Sequence, residues 1–196
     1  MRETADSAEV VVNLVDSRDW PVFEGFGMAP LVRLYLLDHD IASAQLALES
    51  YRAVMQELKE DLVGDAVIRA TTVSLHHAKV FVCAMRRAAR VLESLAATKA
   101  ELPQPIADVV SLVWRKKKAM LGSYCGPRNA VEHIDGEITG KTNWTLVNLV
   151  NDALVVTPGV EAAISSSCLN SLIAGRNEIL ESVKAFRDDA AESGPG

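Results

Sequence analysis

The sequence predicts a mostly α-helical protein, an antiparallel bundle of about five helices with a small β-hairpin inserted before the last one. Three observations carry that expectation. Apolar residues recur at three- and four-residue spacing over most of residues 41–187, the period of a helix that buries one stripe. Gly64, Pro103, Pro105, Gly126-Pro127 and Pro158-Gly159 fall between these stretches. One stretch breaks the pattern, Asn143 to Thr157, which is rich in Val, Leu, Trp and Thr and carries Asn151-Asp152 at its middle.

The elements follow in order. Residues 1–40 read as an N-terminal cap. Val10–Val12 and Val15 suit a strand, Trp20, Phe23 and Phe26 an aromatic loop, and Pro30 to Leu37 a short helix. Asp40 is placed to cap a helix reaching about Leu62, with Ile41, Ala44, Leu48, Tyr51, Met55, Leu58 and Leu62 on one stripe. Gly64 punctuates, and Asp65 caps a long second helix to about Ala97. Its seam is Leu75, Ala78, Val82, Met85, Ala89, Leu92 and Ala96, while His76, Lys79, Cys83, Arg86 and Arg90 form a separate, largely basic stripe. Pro103 and Pro105 break the chain before a third helix, from about Ile106 to Tyr124. A short fourth helix starts at Pro127, a residue suited to the first helical position. After the hairpin and Pro158-Gly159, a last helix runs from about Glu161 to Arg187, with Leu169, Leu172, Ile179, Val183 and Phe186 apolar. Residues 41–190 thus form the bundle, and 191–196 a frayed tail.

At 196 residues and 49% apolar, the chain can bury one sizeable core. No apolar run is long enough to span a bilayer, and the charged start lacks a signal-peptide core, so a cytoplasmic protein with no membrane partner is expected. Cys83, Cys125 and Cys168 are odd in number and far apart, which fits neither a disulfide framework nor a zinc site. The net charge of −6 is unevenly spread. Residues 1–65 carry 5 basic and 13 acidic side chains, residues 66–128 carry 11 and 3, and residues 129–196 carry 4 and 10. A basic middle between acidic flanks is either a phosphate-binding face or a set of helices paired with acidic neighbours.

The chemistry concentrates at Gly126-Pro127-Arg128-Asn129-Ala130-Val131-Glu132-His133. Arg presents a planar fork of donors suited to a phosphate, and His exchanges a proton near neutrality. Asn129 and His133, four apart, share a helix face. Arg128 and His133, five apart, are offset by about 140°. An Arg in the first turn can nonetheless swing across the helix start, where unpaired N–H groups favour an anion. Arg115-Lys116-Lys117-Lys118, on the third helix just upstream, is either a solvated face or a patch that tracks phosphates.

An Arg, a polar residue, a few spacers and a His at the start of a late helix in a helical bundle resemble the HEPN superfamily. Its motif is Arg, four to six residues, then His, often with a polar residue directly after the Arg. Arg128 to His133 fits with four residues between and Asn129 in the polar position. The resemblance covers about residues 41–187 and leaves 1–40 outside. It implies a metal-independent endoribonuclease, without cofactor, acting as a homodimer that faces two motifs across a two-fold axis. Arg128, Asn129 and His133 would be catalytic, and Arg115, Lys116, Lys117 and Lys118 would hold the RNA. The family's setting in toxin–antitoxin and other defence systems implies a cognate antitoxin or nucleotidyltransferase partner. A bundle of the same kind serving as a dimeric binding or scaffold module, without catalysis, is the alternative. Glu132 and Asp135 favour it, because acids weaken an attraction for RNA.

Other patterns carry less. Arg33 to His39 has Leu34 after its Arg and reads as a core element outside the bundle, and Arg69 to His76 has Ala70 there. Asp135 to Thr142 places Asp where the first glycine of a P-loop belongs. His76 and His77 are adjacent and point in different directions on a helix, so they do not form an i, i+4 metal pair. No His-Glu-x-x-His or Gly-x-Ser-x-Gly occurs.

Overall fold

A computed structural model describes residues 28–59, 63–98, 101–125, 147–156 and 160–192. Within them the chain is mostly helical, with a small antiparallel sheet before the last helix. The helices are α1 (Met28–Glu57), α2 (Asp65–Ala97), α3 (Gln104–Gly122) and α4 (Ser166–Glu192). The strands are β1 (Val147–Val150), β2 (Ala153–Val156) and β3 (Val160–Ala163), paired in the order β1-β2-β3. Of the cap expected over residues 1–40, residues 1–27 lie outside the described residues, as does the fourth helix expected from Pro127, while residues 28–40 are the first part of α1.

α1 and α2 form a long hairpin, α3 packs on α2, and α4 closes against α3 and α1. The predicted seams are the ones that are buried. Ile41, Ala44, Leu48 and Tyr51 of α1, and Ala78, Val82, Met85, Ala89 and Leu92 of α2, are all inaccessible or nearly so. α2 also buries Phe81, Ala84, Ala88 and Leu95 on a second face, because it is the central helix between α1 and α3. The ring of Tyr124, just past α3, meets Phe81 edge to face at 6.1 Å between centroids.

Two helix boundaries differ from expectation, the first for an electrostatic reason. Asp40 does not begin a helix. It lies within α1, buried, with its carboxylate accepting from Arg87 Nε at 2.7 Å. Asp38, also buried, accepts from Arg176 Nε of α4 at 2.9 Å. Paired acids of this kind can occupy a helix interior, so the 30 residues of α1 run through the expected break. Arg33, expected outside the bundle, sits in α1 and donates to Thr98 Oγ1 at 2.7 Å and Glu101 Oε2 at 2.6 Å, pinning the α2–α3 connection. At α2 the cap position is Gly64, with φ +61°, and Asp65 is the first helical residue rather than a side-chain cap.

The hairpin forms as expected, with Val150 opposite Ala153 and Asn151-Asp152 as its two-residue turn. Both turn residues take positive φ, 49° and 56°, the geometry that matches strand twist and that Asn and Asp tolerate best after Gly. Tyr51 Oη of α1 donates to Asp152 Oδ1 at 2.8 Å and fixes the turn to the bundle. The last helix begins at Ser166, not Glu161, because residues 160–163 pair with β2 as a third strand. The Ile164 amide then donates to the Asp152 carbonyl at 2.7 Å, and Ser165 Oγ accepts from the Ser167 amide at 3.1 Å as the helix opens.

α4 reaches α3 closely at Gly175. A Cβ built there would lie 2.7 Å from Val113 Cγ1, a distance real side chains do not show. Gly175→Ala should therefore cost about 1–3 kcal/mol through overpacking, more than the ~1 kcal/mol that Ala gains over Gly inside a helix. Urea unfolding checks this, and a raised midpoint would contradict the close approach.

Candidate nucleic-acid interface

Arg128, Asn129 and His133 lie outside the described residues, as does the segment from Gly126 to Leu146. What the structure does place is the end of the described chain before that segment, two residues short of it at Tyr124. Tyr124 is fully buried, and its Oη donates to the Ala163 carbonyl at 3.0 Å. The end of α3 is thereby tied to β3. The motif starts four residues after Tyr124 in the sequence, so its approach is anchored on that side.

The four basic residues expected to hold RNA do not act together. Lys116 Nζ lies 3.1 Å from Glu178 Oε2 of α4, and Lys117 Nζ donates to Ser171 Oγ of α4 at 2.8 Å. Both ties belong to the α3–α4 contact. Arg115 instead lines a groove of about 570 Å³ with Asp108, Leu112 and Trp114 of α3 and Ala96 of α2. Lys118 is exposed, and among the described residues neither it nor Arg115 has a hydrogen-bond or ion-pair partner. The run therefore splits: two cations join helices and two remain for a ligand. Helical geometry explains the split: Arg115 and Lys118, three apart, lie about 60° from one another, while Lys116 and Lys117, about 100° apart, fall on the opposite side, which meets α4.

A second cleft, of about 780 Å³, separates the C-terminal part of α1 from the hairpin turn and the start of α4. Arg52, Gln56 and Lys59 line one wall and Asn151, Asp152 and Ser165 the other. Its mixed charge gives no clear preference for an anion or a cation.

His76 and His77 meet edge to face, with ring centroids 5.5 Å apart and planes 69° apart, so the adjacent rings approach one another more closely than their helical offset suggests. Partial burial first, and the neighbouring His76 second, hold the His77 imidazole below its ordinary value. Among the described residues no three His, Cys, Asp or Glu side chains converge as a metal site. The three cysteines are unpaired with one another and half-buried. Among the described residues no helix is long and apolar enough to cross a membrane.

In comparisons with known proteins, the chain matches no family model, no curated protein and no solved structure.

Burial raises the Tyr124 hydroxyl above its ordinary value, and the adjoining Cys168 adds to the shift. A pKa raised in the folded state means the native protein holds a proton that the unfolded chain gives up first. That stabilisation is complete below about pH 10 and is lost as pH rises beyond it. Tyr124→Phe should make the alkaline fall in stability shallower while costing about 1 kcal/mol at neutral pH through the lost hydrogen bond. Urea midpoints at pH 7, 9, 10 and 11 test both halves, and an unchanged alkaline slope would count against the assignment.

Proposed function

We propose that this chain is a HEPN-like, metal-independent endoribonuclease, with Arg128, Asn129 and His133 as its reacting groups. The observation that supports the reading is the order of parts. A long helical hairpin is followed by a basic third helix whose end is anchored by Tyr124, the motif comes next in sequence, and a final helix closes on the bundle. Arg115 and Lys118 stand free on the helix that leads into the motif.

In this reading His133 removes the proton from a ribose 2′-OH as the 2′-oxygen attacks the adjacent phosphorus. The bond to the 5′-oxygen breaks, and that oxygen takes up a proton from a protonated imidazole. The products are a 2′,3′-cyclic phosphate and a free 5′-hydroxyl. Arg128 meets the charge that builds on the non-bridging oxygens. Asn129 orients the imidazole or holds a phosphate oxygen. A homodimer would supply the second motif, so one His acts as base while the other acts as acid. A cytoplasmic role in toxin–antitoxin or defence systems, with an antitoxin or nucleotidyltransferase as partner, belongs to the same proposal.

A second reading has a specific observation in its favour. Lys116 and Lys117 spend their donors on α4, as residues of a binding or scaffold module would. That module would dimerise and bind without cutting.

The deciding experiment is cleavage of single-stranded RNA in EDTA. The wild-type protein is expected to yield cyclic-phosphate ends, and His133→Ala and Arg128→Ala each to lose about 10²-fold or more in rate. Activity that survives both substitutions would falsify the catalytic assignment. A folded dimer that cuts no RNA would move the conclusion to the binding module.

A further inference from the structure

α2 carries no acid between Asp65 and Glu93, a stretch that holds Arg69, Lys79, Arg86, Arg87 and Arg90. The structure separates these five cations by role. Arg87 is committed to Asp40 at 2.7 Å. Arg69 faces α1 in a small cavity that it lines with Val54, Glu57, Ala70 and Val73. Lys79, Arg86 and Arg90 have no hydrogen-bond or ion-pair partner among the described residues. At i, i+7 and i+11 they fall within about 40° of one another around the helix, away from both buried faces. Lys79 and Arg86 are half-buried and Arg90 is exposed, so the stems of the first two lie along the protein while their charged heads reach solvent.

We infer that this face of α2 is the track along which an RNA backbone binds. The inference rests on the RNA reading above and names a different set of contacts for it than the run at Arg115–Lys118. From Lys79 to Arg90 the track is about 16 Å long, enough to cross several successive phosphates of one strand. Two of its three cations are Arg, whose fork suits phosphate oxygens. Unpaired like charges on one helix face repel one another, and a polyanion is the ligand that relieves this. The face argues against two other anionic surfaces. Between His76 and Arg90 it has no large apolar side chain, only Cys83, so it lacks both the apolar flank of a membrane-surface helix and the apolar anchor of a protein–protein hot spot. Glu93, three residues beyond Arg90, closes the track at one end.

The test is binding of a labelled single-stranded oligouridylate of about twenty nucleotides to the full chain, measured between 0.05 and 0.3 M salt. Lys79→Gln, Arg86→Gln and Arg90→Gln combined should reduce the salt slope by about 2 and the affinity at 0.15 M by about fiftyfold, from the release of about 0.7 counterion per phosphate contact. A charge-matched triple elsewhere, Arg52→Gln, Lys59→Gln and Lys184→Gln, should change affinity far less. Arg90→Glu alone, at an exposed position, should weaken binding severalfold and serves if the triple variant does not fold. Equal losses for both triples, or an unchanged slope for the α2 variants, would overturn the inference. So would α2-dependent binding to phosphatidylserine vesicles without binding to RNA. Binding that depends on α2 in a protein that cuts nothing keeps the track and removes the cleavage proposal. Cleavage and binding that are both indifferent to α2 do the reverse.

Discussion

The Asp38–Arg176 pair is the contact on which the arrangement of the bundle depends. It joins α1 to α4 across 138 residues of sequence, with the two side chains only 4% and 6% exposed. Two charges placed this deep give up most of their hydration, and neither is tolerable there without the other. Arg176 meets Asp38 through Nε and Asn177 through Nη1, while Nη2 is buried without a partner. Such a pair adds little to net stability compared with an apolar contact, but it fixes register. α4 cannot slide or rotate on α1 without stranding a buried charge. Gly175, beside Arg176, sets the distance to α3 by the same local geometry, because the backbone there leaves no room for a Cβ against Val113.

That docking decides what happens to the basic side chains elsewhere. With α4 in register, Glu178 and Ser171 stand opposite Lys116 and Lys117 and each engage one of their donors. On the other side of the bundle, Asp40 takes Arg87. Among the described residues, the cations left without a partner are Arg52 and Lys59 at the end of α1, Arg69, Lys79, Arg86 and Arg90 on α2, and Arg115 and Lys118 on α3. A net charge of −6 is therefore compatible with a local phosphate-binding face, since Lys79, Arg86 and Arg90 share one face of an acid-free stretch of α2.

The apolar pattern made most of the fold legible. The seams of α1 and α2 are buried as their spacing predicts, and the hairpin turns at Asn151-Asp152, where two consecutive residues must accept positive φ. The misses share a cause. Asp40 looks like a cap because Asp at a helix start is common, and its partner, Arg87, is 47 residues away. The strand at 160–163 reads as helix because Val-Glu-Ala-Ala suits either state and only pairing with β2 decides it. The basic run at 115–118 is visible as a string, but which of its members is free depends on what α4 presents. Local propensity and period are readable from sequence, whereas the destination of a charge is a tertiary fact. The basic stripe on α2 was the exception, because a helix free of acids over so many residues offers its cations almost no local partner.

The account turns on the claim that Asp38 and Arg176 act as one unit, and a double-mutant cycle with Asp38→Asn and Arg176→Met measures this directly. Urea unfolding of the wild type, both single variants and the double variant should give single losses of about 3–5 kcal/mol, with the double variant close to the worse single one. The resulting coupling energy should reach about 2 kcal/mol or more. Losses that add to within about 0.5 kcal/mol would mean the two charges do not depend on each other and would contradict the account.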